Sequence, residues 1–237
     1  MRHRAGRLAL ALAVASWGLC AWAQASGAAP QALKAVTAEK YPGADAVIVS
    51  DDTRVDVEES GLSHVNKTQL VKVLTEAGAA KYATLRFDYD PASSFAEVKG
   101  ITVYRASGAV EPVSADRVYD LPQPQHMIYW GPRMKVVSVP KLQPGDAVEI
   151  KTHSKGFVIA YLANGGEDEK YIPPMRGHYY DVVYFQGDLP IVKKTYTIVL
   201  PRDKPVRAEV FHRELASITN FDDKSLTYAW SKENIPA

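Results

Sequence analysis

Five histidines stand in the body of the chain: His64, His126, His153, His178 and His212. They are widely spaced. No HxH or HExxH pattern occurs and no cysteine lies near one, so the spacing offers no zinc ligand set. Glu167, Asp168 and Glu169 form the densest acidic group. A calcium loop alternates Asp, Asn and Gly at fixed positions around the ion; that spacing is missing, and the group reads as a solvated loop tip. Asp88 and Asp90 stand two apart before Pro91, which reads as the end of a strand. The serines lack the G-x-S-x-G elbow of a hydrolase nucleophile. His178 and Asp181 could pair, but that spacing arises readily by chance. Asn164-Gly165-Gly166 has no Lys-Ser or Lys-Thr after it, so it is a turn and not a phosphate cradle. No catalytic residue, metal site or cofactor is assigned.

What remains is aromatic. Tyr129, Trp130, Tyr161, Tyr171, Tyr179 and Tyr180 gather around two long connections, residues 121–132 and 162–180. Long connections often carry function. Flat rings with polar tips suit sugar rings or peptide segments, although strand-rich proteins also use Tyr and Trp on half-buried faces. Tyr129, Trp130, Tyr179 and Tyr180, with His178, are the candidate ligand-binding residues.

The elements that must position them read as strands. Val55 and Val57 alternate with charged residues, Glu59-Ser60-Gly61 supplies a turn, and Val65, Val71 and Val73 lie on the return, which predicts a hairpin. Thr75 caps a short helix over 76–82, weakened by Gly78. Ile101 and Val103 alternate before a Ser107-Gly108 turn. Val148 and Ile150 follow the turn Gln143-Pro144-Gly145-Asp146, where Pro fixes φ and Gly admits the left-handed region. Tyr196, Ile198 and Leu200 share a face; so do Val206, Ala208 and Val210, and Leu226, Tyr228 and Trp230. One wet and one dry face per strand predicts antiparallel pairing. Short strands with turns between them predict an all-β, antiparallel β-sandwich with one or two short helices.

The first residues read as an address. Arg2, Arg4 and Arg7 precede an apolar run from Leu8 to Ala23, and Ala21-Trp22-Ala23 is a small-x-small cleavage site. This is the pattern of a secretory signal peptide over residues 1–23, followed by a linker and short helix over 24–40 and the sandwich over 41–237. Cleavage removes three of the 28 basic residues and no acid, leaving 25 basic against 27 acidic residues and a net charge of −2. No basic field then remains to attract nucleic acid. Cys20 leaves too, so the mature chain holds no thiol nucleophile, thiolate metal site or disulfide. No second apolar run is long enough for a transmembrane anchor. The expected location is periplasmic or secreted.

Several segments carry a family likeness in their order. They are Tyr41-Pro42-Gly43-Ala44-Asp45-Ala46-Val47, Val71 through Gly78, Tyr89-Asp90-Pro91, Val139-Pro140, Leu142 through Glu149, Phe185-Gln186 and Tyr196 through Pro201. Together they resemble the exported bacterial domain of unknown function that precedes transglutaminase-like domains. The resemblance implies an N-terminal all-β module, usually followed by a domain with a Cys-His-Asp constellation that this chain lacks. The expected function is a non-catalytic accessory module for protein interaction or scaffolding, its partner a protein or cell-envelope component. The alternatives are a carbohydrate-binding module that grips polysaccharide with the aromatic loops, or a fragment of a larger transglutaminase-like enzyme.

Overall fold

The computed structural model describes residues 31–124, 131–157, 179–204, 206–211 and 215–237. The expected signal peptide, residues 1–23, lies outside them. The elements are β1 (Ala46–Val57), β2 (Ser63–Val73), α1 (Glu76–Lys81), β3 (Thr84–Tyr89), β4 (Ser94–Tyr104), β5 (Val110–Pro112), β6 (Val118–Pro122), β7 (Arg133–Ser138), β8 (Ala147–Gly156), β9 (Ile191–Pro201), β10 (Ala216–Phe221) and β11 (Ser225–Ile235). They form an eight-stranded sheet, ordered β10-β11-β9-β1-β2-β8-β4-β5, and a three-stranded sheet, ordered β3-β7-β6. The fold is all-β. No helix among the described residues is long and apolar enough to cross a membrane.

Pairing is antiparallel except between β1 and β9, which run parallel with Ile48 beside Ile191 and Val55 beside Ile198. Side-chain alternation is the same in both pairing senses, so the sequence pattern does not reveal this pair. The alternation of Val206, Ala208 and Val210 forms no ladder. Val206 packs into a core, but Val210 is exposed. Only one of the three side chains finds cover, which gives the segment too little packing to add a strand.

The two sheets pack through one core. Val71, Val73, Ile101, Val103, Val148 and Ile150 of the large sheet meet Leu85 and Val137 of the small one. Each fully buried Val or Leu is worth about 2 kcal/mol, so this contact is a main source of stability. A register shift between Ile48 and Ser50 inserts one residue into β1. It changes which residues face the core side: Ala46 and Ile48 before it, Val55 and Val57 after it. A second core forms farther along that same side, from Val55, Val57, Tyr196, Ile198 and Leu200. Between the two cores lies a polar belt. There Asp51, 3% exposed, meets Lys67 Nζ at 3.2 Å and Lys194 Nζ at 3.4 Å, and Gln69 Nε2 donates to it at 3.3 Å.

The opposite side is covered at one end by the chain before β1. Val36 and Leu33 pack on Val47, Val49 and Leu70, and Lys72 Nζ donates to the carbonyls of Leu33 and Val36 at 2.9 and 2.8 Å. Helix α1 is capped by Thr75, whose Oγ1 accepts from Gly78 N at 3.1 Å. The glycine that weakens its propensity has a packing reason. A Cβ at Gly78 would lie 2.9 Å from the Asp45 carbonyl carbon and nearer still to its oxygen, so the helix rests directly on the backbone before β1.

Candidate functional site

Residues 179–185 form an extended strap over the second core. Its side chains alternate as on a strand. Tyr179, Val183 and Phe185 turn inward against Tyr196 and its neighbours. Tyr180, Val182 and Tyr184 turn outward and are 59%, 66% and 70% exposed. The strap belongs to neither sheet.

What pins the strap is a half-buried hydroxyl cluster. Tyr196, rising from β9, donates from its hydroxyl to Asp181 Oδ2 at 2.9 Å. Tyr179 lies 3.1 Å from the Tyr196 hydroxyl and donates to the same carboxylate oxygen at 3.3 Å. Asp181 Oδ1 accepts from Val182 N at 2.7 Å. Burial pushes the Tyr179 phenol up to about 12, reinforced by the Asp181 charge. Burial raises the Tyr196 phenol as well, helped by Tyr179 and Asp181. Both phenols therefore stay protonated at neutral pH. They act as donors that hold Asp181, not as bases or nucleophiles.

Beside the strap lies an open cleft of about 400 Å³. Tyr179, Tyr180 and Val182 form one wall, and Phe157 and Lys155 stand at the end of β8. Ser63 closes the floor by donating to Gly156 O at 2.9 Å. Gly156 admits no side chain, because a Cβ there would lie 2.8 Å from Ser93 O. The arrangement offers aromatic faces, hydroxyls, the Lys155 ammonium and the Asp181 carboxylate.

The structure thus brings together two of the five candidate residues, Tyr179 and Tyr180, with opposite roles: one anchors and one is displayed. Tyr129, Trp130 and His178 lie outside the described residues, as does the acidic group 167–169. Asp181, weighed in the sequence as a partner for His178, accepts from two tyrosines. Sequence reading placed Tyr196 on a core face only; its hydroxyl reaches the strap because β9 passes underneath.

Two further polar groups went unmarked. On the other side of the large sheet His64 and His153 stack at 5.8 Å. His153 Nδ1 lies 3.0 Å from Asn66 Oδ1, and His64 Nε2 lies 2.9 Å from Glu58. Burial lowers the His153 pKa, and Lys99 and His64 add to it. Only the pairing of Asn66 with His153 across β2 and β8 reveals this contact. Among the described residues no three His, Cys, Asp or Glu stand together to hold a metal ion.

The second group is on the small sheet. Asp120 accepts from Lys135 at 2.6 Å, Tyr89 at 2.8 Å and Arg133 at 2.9 Å. Lys135, with help from Tyr89 and Arg133, holds its carboxyl down at about 2 against an ordinary 3.8. A lowered carboxyl pKa adds stability above the unfolded value and gives it up on protonation. As pH falls from 3.8 to about 2, the protein is expected to lose stability that an Asp120→Asn variant has already lost. Urea midpoints that converge for the two proteins across that window check it.

A crystal structure from Parabacteroides distasonis ATCC 8503, described as a "putative protease", superposes with a TM-score of 0.67 at 14% identity, over 81% of this chain and 36% of that one. The chain therefore spans little more than a third of that protein. An M1 zinc metallopeptidase from Deinococcus radiodurans gives a TM-score of 0.39 at 13% identity, over 79% of this chain and 39% of that one. The CBM3a-L domain from scaffoldin cipA of Clostridium thermocellum gives 0.29 at 9% identity, over 48% of this chain and 68% of that one. The first likeness is one of fold; the other two are too distant in shape to carry an argument. A comparison with curated proteins finds no match. Residues 59–237 match DUF3857, a domain of unknown function for which a structure has been solved.

Proposed function

The chain belongs to the DUF3857 family, and on that premise we propose that it is a non-catalytic accessory module that binds an extended segment of another protein. The observation that carries this reading is the strap. Tyr180, Val182 and Tyr184 form an outward row beside an open cleft, and the anchoring Tyr179, Tyr196 and Asp181 are engaged with one another. Displayed aromatics on a rigid support are typical binding anchors. An extended partner segment places alternate side chains in register with the row and offers backbone groups to the strap. The module works in the periplasm or outside the cell, after export by the leader at residues 1–23. Its partner is a transglutaminase-like domain or another envelope protein.

The test uses an array of immobilised peptides beside cellulose and peptidoglycan resins. Retention on peptides is expected, and Tyr180→Ala or Val182→Asp is expected to weaken it about tenfold, equivalent to about 1.4 kcal/mol. Both positions are exposed, so the variants keep the fold. Retention on the resins alone, lost with Tyr180→Ala, would replace this reading with the carbohydrate-binding one. Turnover of a peptide or glycan by the purified protein, lost on a single substitution, would overturn it.

A further inference from the structure

A sheet edge is a row of unpaired backbone donors and acceptors, and proteins blunt it with charge, proline, bulges or cover. Among the described residues the two sheets have four edge strands: β10, β5, β3 and β6. Three are blunted. β5 holds Glu111 and Pro112, β3 holds Arg86 and Asp88, and β6 holds Asp120 and Pro122. β10 differs. Its sequence, Ala216-Ser217-Ile218-Thr219-Asn220-Phe221, has no charge and no proline. Its pairing with β11 has no register shift. All six residues are exposed, with Ile218 at 63% and Phe221 at 71%.

We propose that β10 pairs antiparallel with β10 of a second copy, joining two large sheets across a twofold axis at Ile218. The sequence selects this occupant because the strand is complementary to itself. A twofold axis perpendicular to the sheet keeps each face on its own side, so facing residues must belong to the same face and the axis passes through a residue. The β11 ladder puts Ser217, Thr219 and Phe221 on the face of Trp230, Tyr228 and Leu226, and Ile218 on the other. An axis at Ile218 sets Ile218 against Ile218, Ser217 against Thr219, Leu215 against Phe221 and Ala216 against Asn220. Like meets like at the first three, and such cross-strand pairs stabilise a sheet. Moving the axis to Thr219 sets Ile218 against Asn220 and Phe221 against Ser217, and the match is lost. No charged side chain lies within β10 itself, so no like charges oppose one another inside its ladder.

Sedimentation velocity on the purified protein over a concentration series tests the proposal. A dimer is expected. Ile218→Lys and Ile218→Glu should each be monomeric, because the axis sets each new charge against itself. Mixing the two variants should restore a dimer, since Lys then faces Glu. Ser217→Arg tests the opposite face with the same expectation of monomers, and circular dichroism checks that each variant is folded. A wild-type protein that stays monomeric overturns the proposal. So does an Ile218→Lys protein that still dimerises, or a mixture that fails to associate.

Discussion

Replacing Asp146 with alanine is expected to cost the fold about 4 kcal/mol, the scale on which a buried charge pair is broken. The carboxylate is 3% exposed and joins two segments. Its Oδ2 accepts from Arg105 Nη1 at 2.8 Å and from Gln143 N at 3.0 Å, and its Oδ1 accepts from Ala106 N at 2.9 Å. Arg105 also donates to Lys141 O at 2.7 Å and to Glu111 at 2.6 Å. The network ties the turn before β8 to the β4–β5 turn. Without it two backbone amides lose their acceptor and the guanidinium loses its buried partner. Asp146→Asn keeps the shape but not the charge, so it should lose less. Urea unfolding measures both; a loss under about 1 kcal/mol for alanine, the worth of one ordinary hydrogen bond, would mean the carboxylate is not the clamp.

Gly78→Ala opposes two rules of opposite sign, and the size of each decides the outcome. Inside an exposed helix the change would stabilise by up to about 1 kcal/mol. Here the new methyl enters the space of the Asp45 carbonyl, and overpacking of that kind costs about 3 kcal/mol. The carbonyl cannot easily retreat. It accepts from Leu74 N at 2.9 Å and Thr75 N at 3.1 Å, while Asp45 Oδ1 accepts from Thr75 Oγ1 at 2.6 Å. A net loss of about 2 kcal/mol and a lower thermal midpoint are expected. A stabilised variant would show that the helix can lift away from the backbone before β1.

Local chemistry was legible in the sequence. The β1–β2 hairpin, the Thr75 cap, the turn at 143–146 and the shared faces of β9 and β11 each depend on neighbours a few residues apart, where alternation and turn residues speak directly. Strand order was not legible, because β9 finds β1 through a contact that no local period encodes. The inserted residue between Ile48 and Ser50 was hidden for a related reason: one extra residue reverses inside and outside without changing composition. The site was half legible. Composition marked Tyr179 and Tyr180 as aromatics at a loop boundary. Their division into anchor and displayed ring follows from Asp181 and Tyr196, which come together only when the sheet is assembled.

The parallel pairing of β1 with β9 has a kinetic consequence. β1 meets β2 through a short turn, but its other neighbour is supplied from the far side of the chain, at Ile191. Closing so long a loop costs about 4 kcal/mol of chain entropy before the new ladder returns anything. Contacts this distant slow folding. A growing chain therefore carries β1 with one flank bare until β9 has been made, and the centre of the sheet closes late.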